Sequence, residues 1–124
     1  MDMRLELIPV PVSDVDRAKA FYVEQVGFHV DHDHTVSEDL RFVQLTPPGS
    51  ACSIAIGTGV ATTPPGSAQG MLLVVSDIDA ARAELAGRGV EISEVQEEGW
   101  GARHAYFQDP DGNAWQLQQP SHQS

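Results

Sequence analysis

The feature that most constrains this 124-residue chain is a repeat. Val12-Ser13-Asp14-Val15-Asp16-Arg17-Ala18-Lys19-Ala20 returns as Val75-Ser76-Asp77-Ile78-Asp79-Ala80-Ala81-Arg82-Ala83 (75 − 12 = 63). The likeness spreads outward from this stretch. Gly27 answers Gly89, and Pro47-Pro48-Gly49-Ser50 answers Pro110-Asp111-Gly112-Asn113. A period of half the chain means one structural unit written twice. A half of about 60 residues buries a marginal core alone, so the halves are expected to pack together as one domain.

Each copy reads as β-α-β-β-β. Leu5 to Val12 has strand character, with Pro9 and Pro11 pointing to an edge or a bulge, because proline donates nothing to a ladder. Ser13 is placed as a helix N-cap with Asp16 three residues on, and Ser76 with Asp79 in the second copy. Val15, Ala18, Tyr22 and Val26 recur at helical spacing, and Gly27 ends the helix. Strands are expected at 28–34, 40–45 and 51–56. In the second copy they are expected at 71–75, 91–95, 103–108 and 114–118, with a tight turn at Asp109-Pro110-Asp111-Gly112. The expected boundaries are module one 1–57, linker 58–69, module two 70–119 and a polar tail 120–124.

Charge narrows the partners. Eighteen acids against seven Lys and Arg give a formal charge of −11, which repels nucleic-acid backbones and anionic membranes. The lone Cys52 excludes an internal disulfide, and no apolar run is long enough to span a bilayer. The expectation is a cytoplasmic protein with no nucleic-acid or membrane partner.

Two further constellations invite a metal reading. His32 and His34 share a strand face and could grip one ion, or they belong to a solvated edge strand of alternating charge. Asp109 to Asn113 has the start of a calcium loop, but Ala114 and Pro120 stand where glycine and glutamate are required. Cys52 has no adjacent base and reads as a small packed residue.

The residues Pro11-Val12-Ser13-Asp14-Val15-Asp16-Arg17-Ala18, Phe21-Tyr22, Gly27-Phe28 and Tyr106-Phe107-Gln108-Asp109-Pro110-Asp111-Gly112-Asn113 carry a resemblance over nearly the whole chain. The sequence resembles the vicinal oxygen chelate superfamily: glyoxalase I, extradiol dioxygenases, fosfomycin-resistance enzymes and bleomycin-resistance proteins. The resemblance implies an α+β fold of two βαβββ modules in tandem, whose curled mixed sheets enclose a cavity, and a homodimer. It also implies a divalent ion held from the first and last strand of each module.

Matched to that pattern, the four ligand positions are Leu7, Ser53, Gly70 and Gln116. Leucine and glycine offer no donor, serine is a poor one, and a single amide oxygen does not hold such an ion. No metal and no other cofactor is therefore expected. Leu7, Ser53 and Gln116 become lining of a pocket for a small organic molecule. His104 and Tyr106 share one face of the neighbouring strand, Arg41 is the repeat partner of His104 (104 − 41 = 63), and Trp100 sits between two glycines. Together these residues supply stacking area and a few hydrogen bonds, as small-molecule sites require.

Two functions follow from the resemblance. One is a metal-independent binding protein of the bleomycin-resistance type, sequestering an antibiotic or a similar molecule, with the acidic surface drawing in a cation. The other is an enzyme, a lyase, isomerase or dioxygenase-like member, using a divalent metal or a His104/Tyr106 acid–base pair. An accessory protein with a vestigial cavity is a third.

Overall fold

The computed structural model describes residues 1–97 and 101–120. The first module contributes β1 (Leu7–Pro9), α1 (Val15–Ala20), β2 (His29–Ser37), β3 (Leu40–Thr46) and β4 (Ser53–Thr58). The second contributes β5 (Met71–Val74), α2 (Ile78–Gly87), β6 (Gln96–Glu97), β7 (Arg103–Gln108) and β8 (Ala114–Gln119). Each module forms a four-stranded mixed sheet, ordered β1-β4-β3-β2 and β5-β8-β7-β6, and neither sheet closes on itself. The first and last strands of each module run parallel, and the other pairs are antiparallel. The result is the expected α+β tandem fold. Among the described residues, no helix is long and apolar enough to cross a membrane.

Both helices begin one residue later than expected. Asp14 and Asp77 are the N-caps, their Oδ1 atoms accepting from Arg17 N and Ala80 N, both at 3.1 Å. A carboxylate one position along caps the next N–H of the first turn and adds charge that suits the helix dipole. Ser13 is thereby freed to join the modules, and its hydroxyl donates to Asp111 Oδ1 of the second module at 2.5 Å.

α1 widens into a π-helical segment, Phe21–Val26. Gly27 N and Phe28 N both donate to Tyr22 O, at 2.9 and 2.8 Å, and Gly27 takes the left-handed conformation (φ 97°) that closes the segment. Phe21 and Tyr22 are adjacent in sequence, and both are buried.

The first strand is shorter than the sequence suggests. Its ladder stops at Val10, whose N–H donates to Ala55 O, because Pro11 has no N–H to give. Residues 91–95 do not form the expected strand. Ile92 makes one bridge to Phe107, and Arg82 takes the carbonyls of Ser93 (2.7 Å) and Ile92 (3.4 Å). Ladder pairing resumes at β6.

The core lies between the helices and one face of each sheet. Val43, Leu45, Ile54 and Ile56 point inward from the first sheet, and Ala105, Phe107, Trp115 and Leu117 from the second. Aromatic rings join the modules. Tyr22 meets Trp115 edge-on at 5.7 Å, Phe28 meets Trp115 at 5.6 Å, and Phe21 lies 6.4 Å from Phe107. Each such pair adds about 0.5–1.5 kcal/mol beyond burial.

A polar network seals this junction. Asp109 Oδ2 accepts from Tyr22 Oη (2.7 Å) and Asn113 Nδ2 (2.8 Å), while its Oδ1 accepts from the N–H groups of Asp111 and Asn113. Asn113 Nδ2 also donates to Pro11 O at 2.7 Å, and Trp115 Nε1 to Tyr22 Oη at 3.0 Å. Burial, followed by the Asp109 carboxylate, pushes the Tyr22 phenol far above its usual pKa, so it stays protonated and donates. The turn motif is thus also a clamp between modules.

Candidate functional site

Strand alternation gives each sheet a second face, away from the helices. On the second sheet the register sets Tyr106 beside Gln116, His104 beside Gln118 and Gln108 beside Ala114, while β5 adds Leu72 beside Gln116 and Val74 beside Gln118. Leu72, Val74 and Tyr106 are 45%, 62% and 40% exposed, an unusual display of apolar and aromatic surface. His104 is buried, its ring 6.4 Å from that of Tyr106, and its Nε2–H donates to Gln118 Oε1 at 3.0 Å. Three of the sequence-predicted residues, His104, Tyr106 and Gln116, therefore meet on one patch.

Leu7 and Ser53 meet on the other sheet, as direct register partners. The Ser53 hydroxyl lies 2.6 Å from Thr46 Oγ1 and accepts from Gln44 Nε2 at 3.4 Å, and Thr46 in turn donates to Asp31. Ser53 and Leu72 both line a cavity of about 500 Å³ with Ile8, Ile54 and Met71, whereas Leu7, His104, Tyr106 and Gln116 are not part of its lining. Cys52 is half-buried at its wall.

Arg41 is elsewhere. It lies on the helix side of β3, where its guanidinium binds Asp33 (2.9 and 3.1 Å) and Asp16 of α1 (2.8 Å). Lys19 reaches the same Asp33 at 2.7 Å. These cations hold the Asp33 carboxyl well below the usual range, Arg41 foremost. The expected repeat partnership fails because the first helix, with its π-helical segment, is one residue longer between cap and glycine, 15–26 against 78–88, so the repeat spacing is already 62 at Gly27 and Gly89. Arg41 to Asp16 instead matches Arg103 to Asp79, which makes Phe42 the counterpart of His104. By the same register Ala55, opposite Gln44, answers Gln116, opposite Tyr106. Trp100 lies outside the described residues.

The donor set does not fit the ion that the resemblance implies. Leu7 and Gly70 have no donor, the Ser53 hydroxyl is engaged by neighbours, and neither Ala55 nor the single amide of Gln116 completes a site. His32 and His34 stack at 5.8 Å on the outer strand β2. Among the described residues no group of three or more His, Cys, Asp or Glu is placed to hold a metal.

Period-two alternation along 114–118 already sets Gln118 on one face with Ala114 and Gln116, as the strand register does. Sequence reasoning missed Leu72, Val74 and Gln108. It could not show that Leu72 and Val74 face outward, because an apolar strand reads as buried.

The chain matches the family described as Glyoxalase/Bleomycin resistance protein/Dioxygenase superfamily over residues 4–117. It is similar to TnmS3, an antibiotic binding protein from Streptomyces sp. CB03234, at 42% identity and a TM-score of 0.86, covering 97% of this chain and 98% of that one. A glyoxalase/bleomycin resistance protein from the same organism is 42% identical with a TM-score of 0.79, covering 92% and 98%. A superfamily member from Sphaerobacter thermophilus DSM 20745 is 32% identical with a TM-score of 0.83, covering 96% and 98%. On this match and these likenesses, the chain belongs to the glyoxalase/bleomycin resistance protein/dioxygenase superfamily.

Proposed function

We propose that this protein binds a small organic molecule, an antibiotic or a compound of similar size, without a metal ion. The observation that carries this reading is the patch of Tyr106, Gln116 and the outward Leu72 and Val74, beside ligand positions that have lost their donors. The likeness to an antibiotic binding protein supports it. Exposed apolar side chains next to uncommitted amides match the lining of small-molecule sites. Trp100 is kept as a candidate lip of the pocket.

The same surface favours a homodimer. Each sheet is open, and a second copy laid on the helix-free faces would cover Leu72 and Val74 and turn two open faces into an enclosed cavity.

The test is calorimetric titration of chelator-treated protein against a panel of antibiotics. A ligand with Kd of about 10 μM or tighter, its affinity unchanged by added divalent ions, supports the reading. Failure of every compound up to millimolar concentration overturns it.

One observation favours an enzyme instead. His104 and Tyr106 stand side by side, with the imidazole Nε2–H fixed by Gln118, as an acid–base pair requires. Turnover of a bound ligand that disappears in His104→Ala would establish that reading.

A further inference from the structure

Glu91 stands opposite Gln108 at the outer edge of the second sheet. The Ile92–Phe107 bridge sets this register, and Ser93 N, the next residue, donates to Tyr106 O at 2.9 Å. Ile92 packs against the core, so alternation turns Glu91 to the helix-free face that Tyr106 and Gln108 occupy. There Glu91, Tyr106, Gln108 and Ala114 line a hollow of about 500 Å³, which the buried Phe107 and Trp115 also line.

The Glu91 carboxylate is the uncompensated charge of this hollow. Asp109 lines it too, but its two oxygens accept from Tyr22, Asn113 and Asp111. Arg88 and Arg82, the nearest basic residues before Glu91 in sequence, pair with Glu84 and Glu94. Among the described residues, no Lys, Arg or His stands within ion-pair distance of Glu91. His104 is on the same face but two residues beyond Tyr106 along β7, away from Glu91, and its Nε2 is held at Gln118.

Diagonal neighbours across two antiparallel strands lie about 7–8 Å apart, within reach of long side chains. Glu91 and Tyr106 are such a pair. A carboxylate takes an ammonium group as a charge-assisted hydrogen-bond donor, and a tyrosine ring attracts cations through its electron-rich face. Tyr106 is 40% exposed, so its ring is open to a guest. An ammonium group one or two bonds from an aromatic ring meets Glu91 with its charge while the ring lies along Tyr106.

We propose that the hollow binds the protonated amine of an aromatic guest, with Glu91 as its counter-ion and Tyr106 as its stacking partner. The formal charge of −11 draws cations to the protein at large, whereas Glu91 gives them one point of contact. The assignment rests on the binding reading above and narrows its ligand class.

Three probes that share one ring system test it: cationic 1-naphthylmethylamine, neutral 1-naphthylmethanol and anionic 1-naphthylacetate, titrated calorimetrically onto the full chain at pH 7. The amine is expected to bind about fivefold tighter than the alcohol, the scale of one partly exposed ion pair, and the acetate weakest. Glu91→Gln is expected to bring the amine down to the affinity of the alcohol and to leave the alcohol within twofold. Glu97→Gln removes the same charge from the helix side of the sheet, where Glu97 faces Arg103, and is expected to leave the amine within twofold. Circular dichroism confirms the fold of both variants. Equal affinity of amine and alcohol for the wild type overturns the proposal, as does an equal loss of amine affinity in the two variants, the mark of the long-range field alone. Binding of none of the probes also overturns it, while the antibiotic panel decides separately whether the protein binds small molecules at all.

Discussion

Tyr22 Oη donates a 2.7 Å hydrogen bond to Asp109 Oδ2, tying the helix of the first module to the hairpin of the second across 87 residues of sequence. The bond is buried, and Tyr22 Oη also accepts from Trp115 Nε1. Tyr22→Phe keeps the ring and deletes both partnerships, leaving a buried carboxylate one donor short and an indole N–H unpaired. The expected loss is about 1–3 kcal/mol of stability, read from urea unfolding. A loss within error of zero contradicts the role of this bond in joining the modules.

The Arg41–Asp33–Lys19 cluster has a defined pH signature. The Asp33 carboxyl is depressed in the folded state, chiefly by hydrogen bonds from Arg41 and then Lys19. A depressed carboxylate stabilises the fold above its unfolded pKa of about 4, and that stability is lost as pH falls through the folded value. Wild type is therefore expected to exceed Asp33→Asn at pH 7 by no more than about 1 kcal/mol, given the exposure of the partners. The two should converge towards pH 2 in parallel denaturation curves. A gap that widens in acid contradicts the assignment.

Placement separates two residues that the sequence grouped together. Arg41→Ala is expected to leave ligand affinity within twofold of wild type, because its guanidinium is held by Asp16 and Asp33 on the helix side. Tyr106→Ala is expected to lower affinity about tenfold, the worth of one aromatic contact of roughly 1.4 kcal/mol. The reverse order, measured by calorimetry, contradicts the proposed face.

The proposed assembly is tested by light scattering after size exclusion. A chain of 13.4 kDa is expected to elute at twice that mass, and Val74→Asp, which sets a charge on a 62% exposed apolar position, is expected to shift it towards monomer. A wild-type monomer at micromolar concentration contradicts the dimer.

The duplicated Val-Ser-Asp stretch is enough to expose the tandem fold, because caps, helix faces and stop glycines are local signals that repeat with the module. Other parts are not local. The caps fall on Asp14 and Asp77 because either residue of a Ser-Asp pair can cap the first turn, and in the first module Ser13 is taken by its tertiary partner Asp111. A constant repeat spacing pairs Arg41 with His104, but one extra residue in the π-helical end of the first helix breaks that constancy and turns the side chain to the opposite face. Leu72 and Val74 look like core in any sequence, because exposure of apolar side chains is a property of the assembled sheets. The Asp109–Asn113 motif reads as a turn, and nothing near it in sequence announces Tyr22 or Pro11 as its partners.

Binding without a metal, at positions that have lost their donors, is the property on which the proposed function depends most. The direct measurement is the equilibrium affinity of chelator-treated protein for its best antibiotic ligand, with metal content determined by mass spectrometry on the same sample. The expected result is a Kd of about 10 μM or tighter at far less than one metal ion per chain, unchanged when zinc, manganese or iron(II) is restored. Affinity that vanishes with the metal and returns with it would contradict metal-free binding.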